Sequence, residues 1–199
     1  MNRQIVNSIG WAVLLLFLFS FRTIYGLCAE FWFPDERQIY LIGLKFFTTG
    51  KWPFFGPDIV YTQSQIPGAL QGLLVGLPLY VCKLPEAPAI FLNSISFGAF
   101  ALFAWYLCKR FSGFPQWLLV IWIMTCPWAM LYTTKVVNPS YVLPFAILFF
   151  IGLFETCSFF ETMIIAPSLS FFLMGLSTTA ILQLHMSWVL LVPLSLIHI

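Results

Sequence analysis

The chain has 199 residues, of which 61% are hydrophobic and only 8% are charged, and its formal net charge is +2. Its mean hydropathy of +0.94 lies far outside the range of soluble domains, so the composition excludes a soluble enzyme, and so small a charge gives no reason to expect nucleic-acid binding. An integral membrane protein is therefore predicted. Because the apolar runs are long and do not alternate, the segments that cross the membrane are predicted to be helices.

The apolar runs predict an all-α fold, a polytopic membrane helical bundle with about five spanning helices and further helices at the membrane surface. A spanning helix needs roughly 20 predominantly apolar residues. The predicted spans are residues 6–27, 89–108, 116–132, 140–157 and 169–193. The first span is too long for a simple signal peptide and lacks a small-residue cleavage site, so it is expected to remain as an anchor.

Residues 28–66 form a polar and aromatic connection after the first span and are predicted to be the first extracytoplasmic loop. Pro34, followed by two carboxylates, predicts the start of a short amphipathic helix over residues 35–48, because acidic groups oppose the positive end of the helix dipole. Gly50 is the predicted stop of this helix. The next apolar piece, residues 67–81, is short and rich in Gly and Pro, which favours a helix lying along the membrane.

Asp35 and Glu36 are the main candidates for chemistry, because they are adjacent carboxylates in a chain with few charges. A carboxylate at the rim of a bilayer can act as a general base where an acceptor hydroxyl meets a membrane-borne donor. The alternative is that both acids only cap the start of the helix and remain solvated.

The order of these features resembles the polyprenyl-phosphate-sugar transferases of the GT-C class. After a first span, the Asp35-Glu36 pair opens a short helix with Tyr40 one turn on, then come Gly50-Lys51-Trp52-Pro53 and a second non-spanning helix. Protein O-mannosyltransferases, lipid A aminoarabinose transferases and RgtA/B/C/D-like bacterial glycosyltransferases share this plan, and the resemblance covers residues 8–193. It implies an inverting transferase of the plasma membrane that acts on its extracytoplasmic face.

By this resemblance Asp35 is the base or acceptor-orienting acid and Glu36 is its helper. The implied partners are a sugar donor on undecaprenyl or dolichyl phosphate, an unidentified acceptor and the lipid bilayer. Such a donor already carries its phosphate leaving group, so neither a cofactor nor a Gly-rich nucleotide loop is expected. One acid pair with no His nearby gives no ligand set for a tightly bound metal, and the five cysteines are expected to be packing residues.

The candidate substrate-binding residues lie in the first loop, at the mouth of the fourth span and within the last apolar run: Tyr40, Lys51, Gln63, Gln65, Lys135, Asn138 and His185. Gln63 and Gln65 are expected at the start of the second interfacial helix, where they would orient the acceptor. Lys135 is either a phosphate partner or a snorkelling lysine at a membrane end.

Asn138 stands where many relatives of this class have an acid before Pro, so a mechanism with two separate acids is not expected. His185 and Gln183 interrupt the last apolar run. His185 either faces the donor phosphate or is a hydrogen-bonded packing histidine. Arg22 is expected to be a snorkelling anchor rather than a phosphate ligand.

Two other classes remain open, a membrane transporter or flippase fragment and a non-enzymatic membrane assembly subunit. A transporter needs polar residues in several spans, whereas here they concentrate in one loop and at Asn93, Gln183 and His185. An assembly subunit needs no reactive acid.

Residues 194–199 match the translation of a sequencing-adapter end and are expected not to be biological. The chain is then expected to be part of a longer transferase and to lack activity by itself.

The charge pattern predicts that Asp35 and Lys109 lie on opposite faces of the membrane, because Lys109-Arg110 is the only dibasic loop and favours the cytoplasm. Single cysteines at the two positions, in a background without the five native cysteines, should react with an impermeant maleimide from opposite sides. Labelling of both positions from one side would contradict this topology.

Overall fold

The computed structural model describes residues 3–28, 34–59, 64–111, 113–157 and 159–198, with all side chains in these ranges except those of residues 3–6, 34–35 and 195–198. The helices are α1 (Arg3–Cys28), α2 (Pro34–Thr49), α3 (Leu70–Val81), α4 (Ala87–Arg110), α5 (Gln116–Thr125), α6 (Pro127–Thr134), α7 (Val142–Thr156), α8 (Pro167–Leu182) and α9 (Trp188–His198). Two antiparallel strands, β1 (Phe55–Ile59) and β2 (Ser64–Pro67), form a hairpin between α2 and α3.

Helices dominate the chain, as predicted. Two of the described helices are long and apolar enough to cross a membrane, α1 from Asn7 onward and α4. Helices α5 and α6 give a third crossing if they are counted as one span bent by 55°. Helices α7 and α8 are apolar but have only 15 and 16 residues, fewer than the roughly 20 that a perpendicular crossing needs. The structure therefore has two or three candidate spans, and five spans are not shown.

Two of the predicted spans are interrupted. The run 116–132 is broken between α5 and α6 at Cys126, because Pro127 has no N–H to donate and its ring clashes with the preceding turn. The run 169–193 is also divided, since α8 ends at Leu182 and α9 begins at Trp188. Hydropathy alone does not distinguish one long helix from two shorter ones with an apolar turn between them.

Arg22 holds the broken helix against α1 and α4. Its side chain is 0% exposed, and its guanidinium donates to the backbone oxygen of Met124 at 2.7 Å, to Asn93 Oδ1 at 3.0 Å and to Thr133 Oγ1. The Phe100 ring lies 5.1 Å from its Cζ. Arg22 is thus not the snorkelling anchor expected from the sequence, because its charged end points into the protein and is satisfied there.

The two segments predicted to lie at the membrane surface are both helical, as α2 and α3, and pack tightly together. Gly43 of α2 faces α3, where Gly76 comes so close that a Cβ built on it would lie 2.7 Å from the Gly43 oxygen. Helix α2 ends beside Gly50, which has a φ of +65° and reverses the chain. The β-hairpin was not expected, because the sequence of this connection shows turn residues rather than an alternating strand pattern.

The bundle has two distinct ends. One end, called here the loop-side end, contains α2, α3 and residues 135–141, packed around buried Ile39, Val75, Leu92, Val136, Tyr141 and Leu184. Tyr40 Oη donates to the backbone oxygen of Pro85 at 3.3 Å, just before α4 begins, whereas Lys109 is the penultimate residue of α4. The first loop and Lys109 therefore lie at opposite ends of a helix about 36 Å long.

We expect Gly76→Ala to destabilise the chain and Gly98→Ala to leave it intact. An added Cβ at Gly76 would meet Phe46 at 2.6 Å and the backbone oxygen of Gly43, so the two helices must separate, at a cost of about 1–3 kcal/mol. At Gly98 the Cβ would have no neighbour within 4 Å, and the higher helix propensity of Ala should add about 0.5–1 kcal/mol.

Unfolding in detergent, followed by circular dichroism, measures both variants. Equal stability of the two variants would show that the close approach of α2 and α3 does not limit the fold.

Candidate functional site

Four side chains at the loop-side end form the candidate site, called here the Glu36–Lys135 cluster: Glu36, Tyr40, Lys135 and Tyr141. Glu36 and Tyr40 are four residues apart on α2 and share one face of that helix. Lys135 follows α6 directly, and its charge interacts with that of Glu36. Tyr141 packs beside Ile39 in the loop-side core, so the start of α2 and residues 135–141 meet here.

The short turn after α6 positions Lys135. Ser140 Oγ accepts from the Val137 N–H at 2.9 Å and donates to the Lys135 backbone oxygen, while the Ser140 N–H donates to the Val137 oxygen at 2.7 Å. The Asn138-Pro139 bond within this turn is cis. The Lys135 residue is 4% exposed, which makes it a buried cation rather than the solvated, snorkelling lysine considered from the sequence.

Burial dominates the electrostatics of this pair. Burial raises the pKa of Glu36 above 4.5, and the charge of Lys135 opposes that rise. Burial likewise lowers the pKa of Lys135, and the charge of Glu36 opposes that fall. Both pKa values move toward the neutral form, so loss of hydration outweighs the mutual attraction of the two groups. A carboxyl group with a raised pKa beside a cation is typical of an acid–base site.

The two phenols remain protonated at neutral pH. Burial, then the charges of Glu36 and Glu86, raise the pKa of Tyr40 to about 12. Burial, followed by the charge of Tyr40, raises the pKa of Tyr141. Both hydroxyls therefore act as hydrogen-bond donors, and Tyr141 Oη already donates to the Leu74 backbone oxygen at 3.5 Å.

Three other candidate site residues predicted from the sequence lie at this end of the bundle: Asp35, Asn138 and His185. Asp35 lies in the first turn of α2, but its side chain is outside the part of the chain that the structure describes. Asn138 lies in the turn after α6, and its Oδ1 is buried with no hydrogen-bond partner among the described residues.

His185 lies in the turn between α8 and α9, next to Leu184 of the loop-side core. Its Nδ1 accepts from the Ser187 N–H at 3.1 Å and lies 3.0 Å from Ser187 Oγ. The contact with Ser187 lies just before α9 begins. Because Nδ1 accepts this hydrogen bond, Nε2 is the protonated nitrogen of the neutral ring.

Lys51 and Gln65 lie elsewhere, and Gln63 is outside the described residues. Lys51 and Gln65 line a cleft of about 640 Å³ between α2 and the β-hairpin, together with Gln38 and Lys45 of α2. Gln38 follows Glu36 by two residues, which at about 100° per residue turns its side chain to the far side of the helix. Gln65 was expected at the start of an interfacial helix but belongs to strand β2.

Tyr141 is the residue that the sequence analysis missed. It comes three residues after Asn138, in the same polar turn, so its proximity to that candidate was the available signal. In the described ranges no group of three His, Cys, Asp or Glu side chains could hold a metal ion. The four side chains of the cluster offer a carboxyl, an ammonium and two phenols.

We expect the Glu36 carboxyl to make stability depend on pH. Its pKa is higher in the folded than in the unfolded chain, so its contribution is fully present below pH 4.5 and is lost as pH rises through the raised value. The melting temperature of the unaltered chain should therefore fall relative to that of Glu36→Gln as the pH rises from acidic to neutral.

Lys135→Gln should move this fall to higher pH, because it removes the charge that holds the pKa of Glu36 down. Asp58→Asn, at an exposed carboxyl of the hairpin, is the matched control and should not change the difference. Parallel melting curves for the unaltered chain and Glu36→Gln would contradict a raised pKa.

No protein-family model matches the chain, and no curated protein or solved structure matches it either. The likeness to polyprenyl-phosphate-sugar transferases thus rests on the residues of the sequence itself, the Asp35-Glu36 pair, Tyr40 and Gly50-Lys51-Trp52-Pro53. A function for this chain is accordingly a proposal from these residues and from the geometry of the Glu36–Lys135 cluster.

Proposed function

We propose that this protein is a glycosyltransferase that moves a sugar from a polyprenyl-phosphate donor to a lipid, glycan or protein acceptor on the extracytoplasmic face of the plasma membrane. The single observation that carries the proposal is that a half-buried Glu36 and a buried Lys135 lie close enough at the loop-side end of the bundle for their charges to interact. A base for the acceptor and a cation for the departing phosphate are what this reaction needs from a protein.

In the proposed reaction the acceptor hydroxyl attacks the anomeric carbon of the sugar. The new carbon–oxygen bond forms on the side opposite the phosphate, and the bond between the anomeric carbon and the phosphate oxygen breaks. Asp35, or Glu36 as its helper, takes the proton of the hydroxyl, and the bonding electrons leave with the polyprenyl phosphate. The Lys135 ammonium stabilises the negative charge of the leaving group.

Polar groups around the pair would orient the sugar. The Tyr40 hydroxyl already donates to the Pro85 backbone oxygen, so its oxygen can accept from a sugar hydroxyl, and so can the buried Asn138 Oδ1, which has no partner among the described residues. The Nε2–H of His185 can donate to phosphate, since its Nδ1 is already used by Ser187. An exposed, purely structural helix start would need no buried cation beside it, which favours the catalytic role of the acids over simple capping.

The test is sugar transfer from a radiolabelled polyprenyl-phosphate donor in membranes that contain the complete gene product. Asp35→Asn should reduce transfer by about 100-fold or more, and Lys135→Gln should weaken donor binding. Asp58→Asn makes the same chemical change at an exposed carboxyl and should retain full transfer.

Unchanged transfer with both Asp35→Asn and Glu36→Gln would contradict the proposal and favour an assembly subunit. Movement of the intact lipid-linked sugar across the bilayer, with no new glycosidic bond, would instead favour a flippase.

A further inference from the structure

The cleft between α2 and the β-hairpin, called here the hairpin cleft, is a preformed concavity outside the Glu36–Lys135 cluster. Gly50 ends α2 with a left-handed φ, which turns Lys51 and Trp52 back along the helix. The Trp52 ring then packs edge-on against Phe46 at 6.4 Å. The resulting volume of about 640 Å³ is in the range of sites that hold a small molecule.

The charged side chains that line the hairpin cleft are both lysines, Lys45 and Lys51. No carboxylate is among the lining residues, and in the described ranges neither ammonium takes part in a salt bridge. The amides of Gln38 and Gln65 add polar groups to the wall, although Gln65 Nε2 already donates to Asp58 Oδ1 at 2.9 Å. The charge of the cleft therefore complements an anion.

The rim of the hairpin cleft is apolar and open. Trp52, Phe54 and Phe55 are 54%, 70% and 56% exposed. Nearby, Leu44 of α2 and Val81 of α3 also present large apolar side chains at the surface. Aromatic and aliphatic side chains of this kind next to lysines are typical of an element that lies in the interface of a bilayer. An aqueous anion would not require such a rim.

We propose that the hairpin cleft binds the headgroup of an anionic phospholipid. The phosphate lies between Lys45 and Lys51, and Trp52, Phe54 and Phe55 contact the glycerol and the first carbons of the acyl chains. This inference does not depend on the proposed transferase, because the cleft and the Glu36–Lys135 cluster lie on opposite sides of α2. Lipid bound there would hold α2 at a fixed depth in the interface.

The test is native mass spectrometry of the purified 199-residue chain with phosphatidylglycerol or phosphatidylcholine. The double variant Lys45→Gln/Lys51→Gln should retain phosphatidylglycerol about tenfold more weakly, since each lysine near an anionic surface contributes to attraction. The double variant Lys83→Gln/Lys109→Gln removes the same charge from exposed lysines outside the cleft and should bind as the unaltered chain does. Phosphatidylcholine should bind weakly to all three.

A second measurement reports on the apolar rim. Phosphatidylglycerol with brominated acyl chains should quench tryptophan fluorescence, and part of that quenching should disappear in Trp52→Phe. The circular dichroism spectrum and the detergent elution profile show whether each variant is folded.

Equal loss of phosphatidylglycerol in both double variants would overturn the proposal, because it would indicate general attraction by charge. Displacement of phosphatidylglycerol by inorganic phosphate, but not by sodium chloride of equal ionic strength, would also overturn it. That outcome would indicate a site for free phosphate rather than for a lipid.

Discussion

The hydrogen bonds of Arg22 are the constraint on which the rest of the structure depends. A charged group buried this deeply costs several kcal/mol of solvation unless its donors are satisfied. Here the donors are used by a backbone oxygen at the end of α5, a hydroxyl of α6 and an amide of α4. The break at Pro127 leaves helix carbonyls without partners, and the Arg22 guanidinium supplies one. Three elements are thus tied to α1 by one side chain.

The redirected α6 then decides where Lys135 lies. Helix α6 approaches α1 so closely that a Cβ on Gly26 would lie 2.6 Å from the Thr134 oxygen. Lys135 is the next residue, and it emerges beside the first turns of α2 rather than at the surface of the bundle. A continuous α5–α6 helix would have a different direction over its last two turns. The Glu36–Lys135 cluster is therefore a consequence of a helix break that Arg22 stabilises.

At the far end, an ion pair between Arg110 and Glu155 closes the connection from α7 to α8. The other oxygen of Glu155 accepts from the backbone N–H groups of Ile164 and Ile165, at 2.8 Å and 3.1 Å. The chain is thereby turned back, and α8 returns to the loop-side end, where a Cβ on Gly68 would meet Gln183. This return places His185 at the same end as the cluster, although the two are far apart in sequence.

The sequence by itself determined the helical fold, the apolar runs that could cross a membrane and the two helices α2 and α3 that follow the first run, because each depends on local composition or periodicity. Tertiary structure decided what depends on distant contacts. The Arg22 side chain is buried because its hydrogen-bond partners come from three other helices. Lys135 is buried near Glu36 because α6 changes direction at the break before Pro127. The separation of Lys51 and Gln65 from that cluster also required the structure, since their place follows from a hairpin with no strand pattern. Local spacing predicts which residues share a helix face, but only packing between helices decides which faces meet.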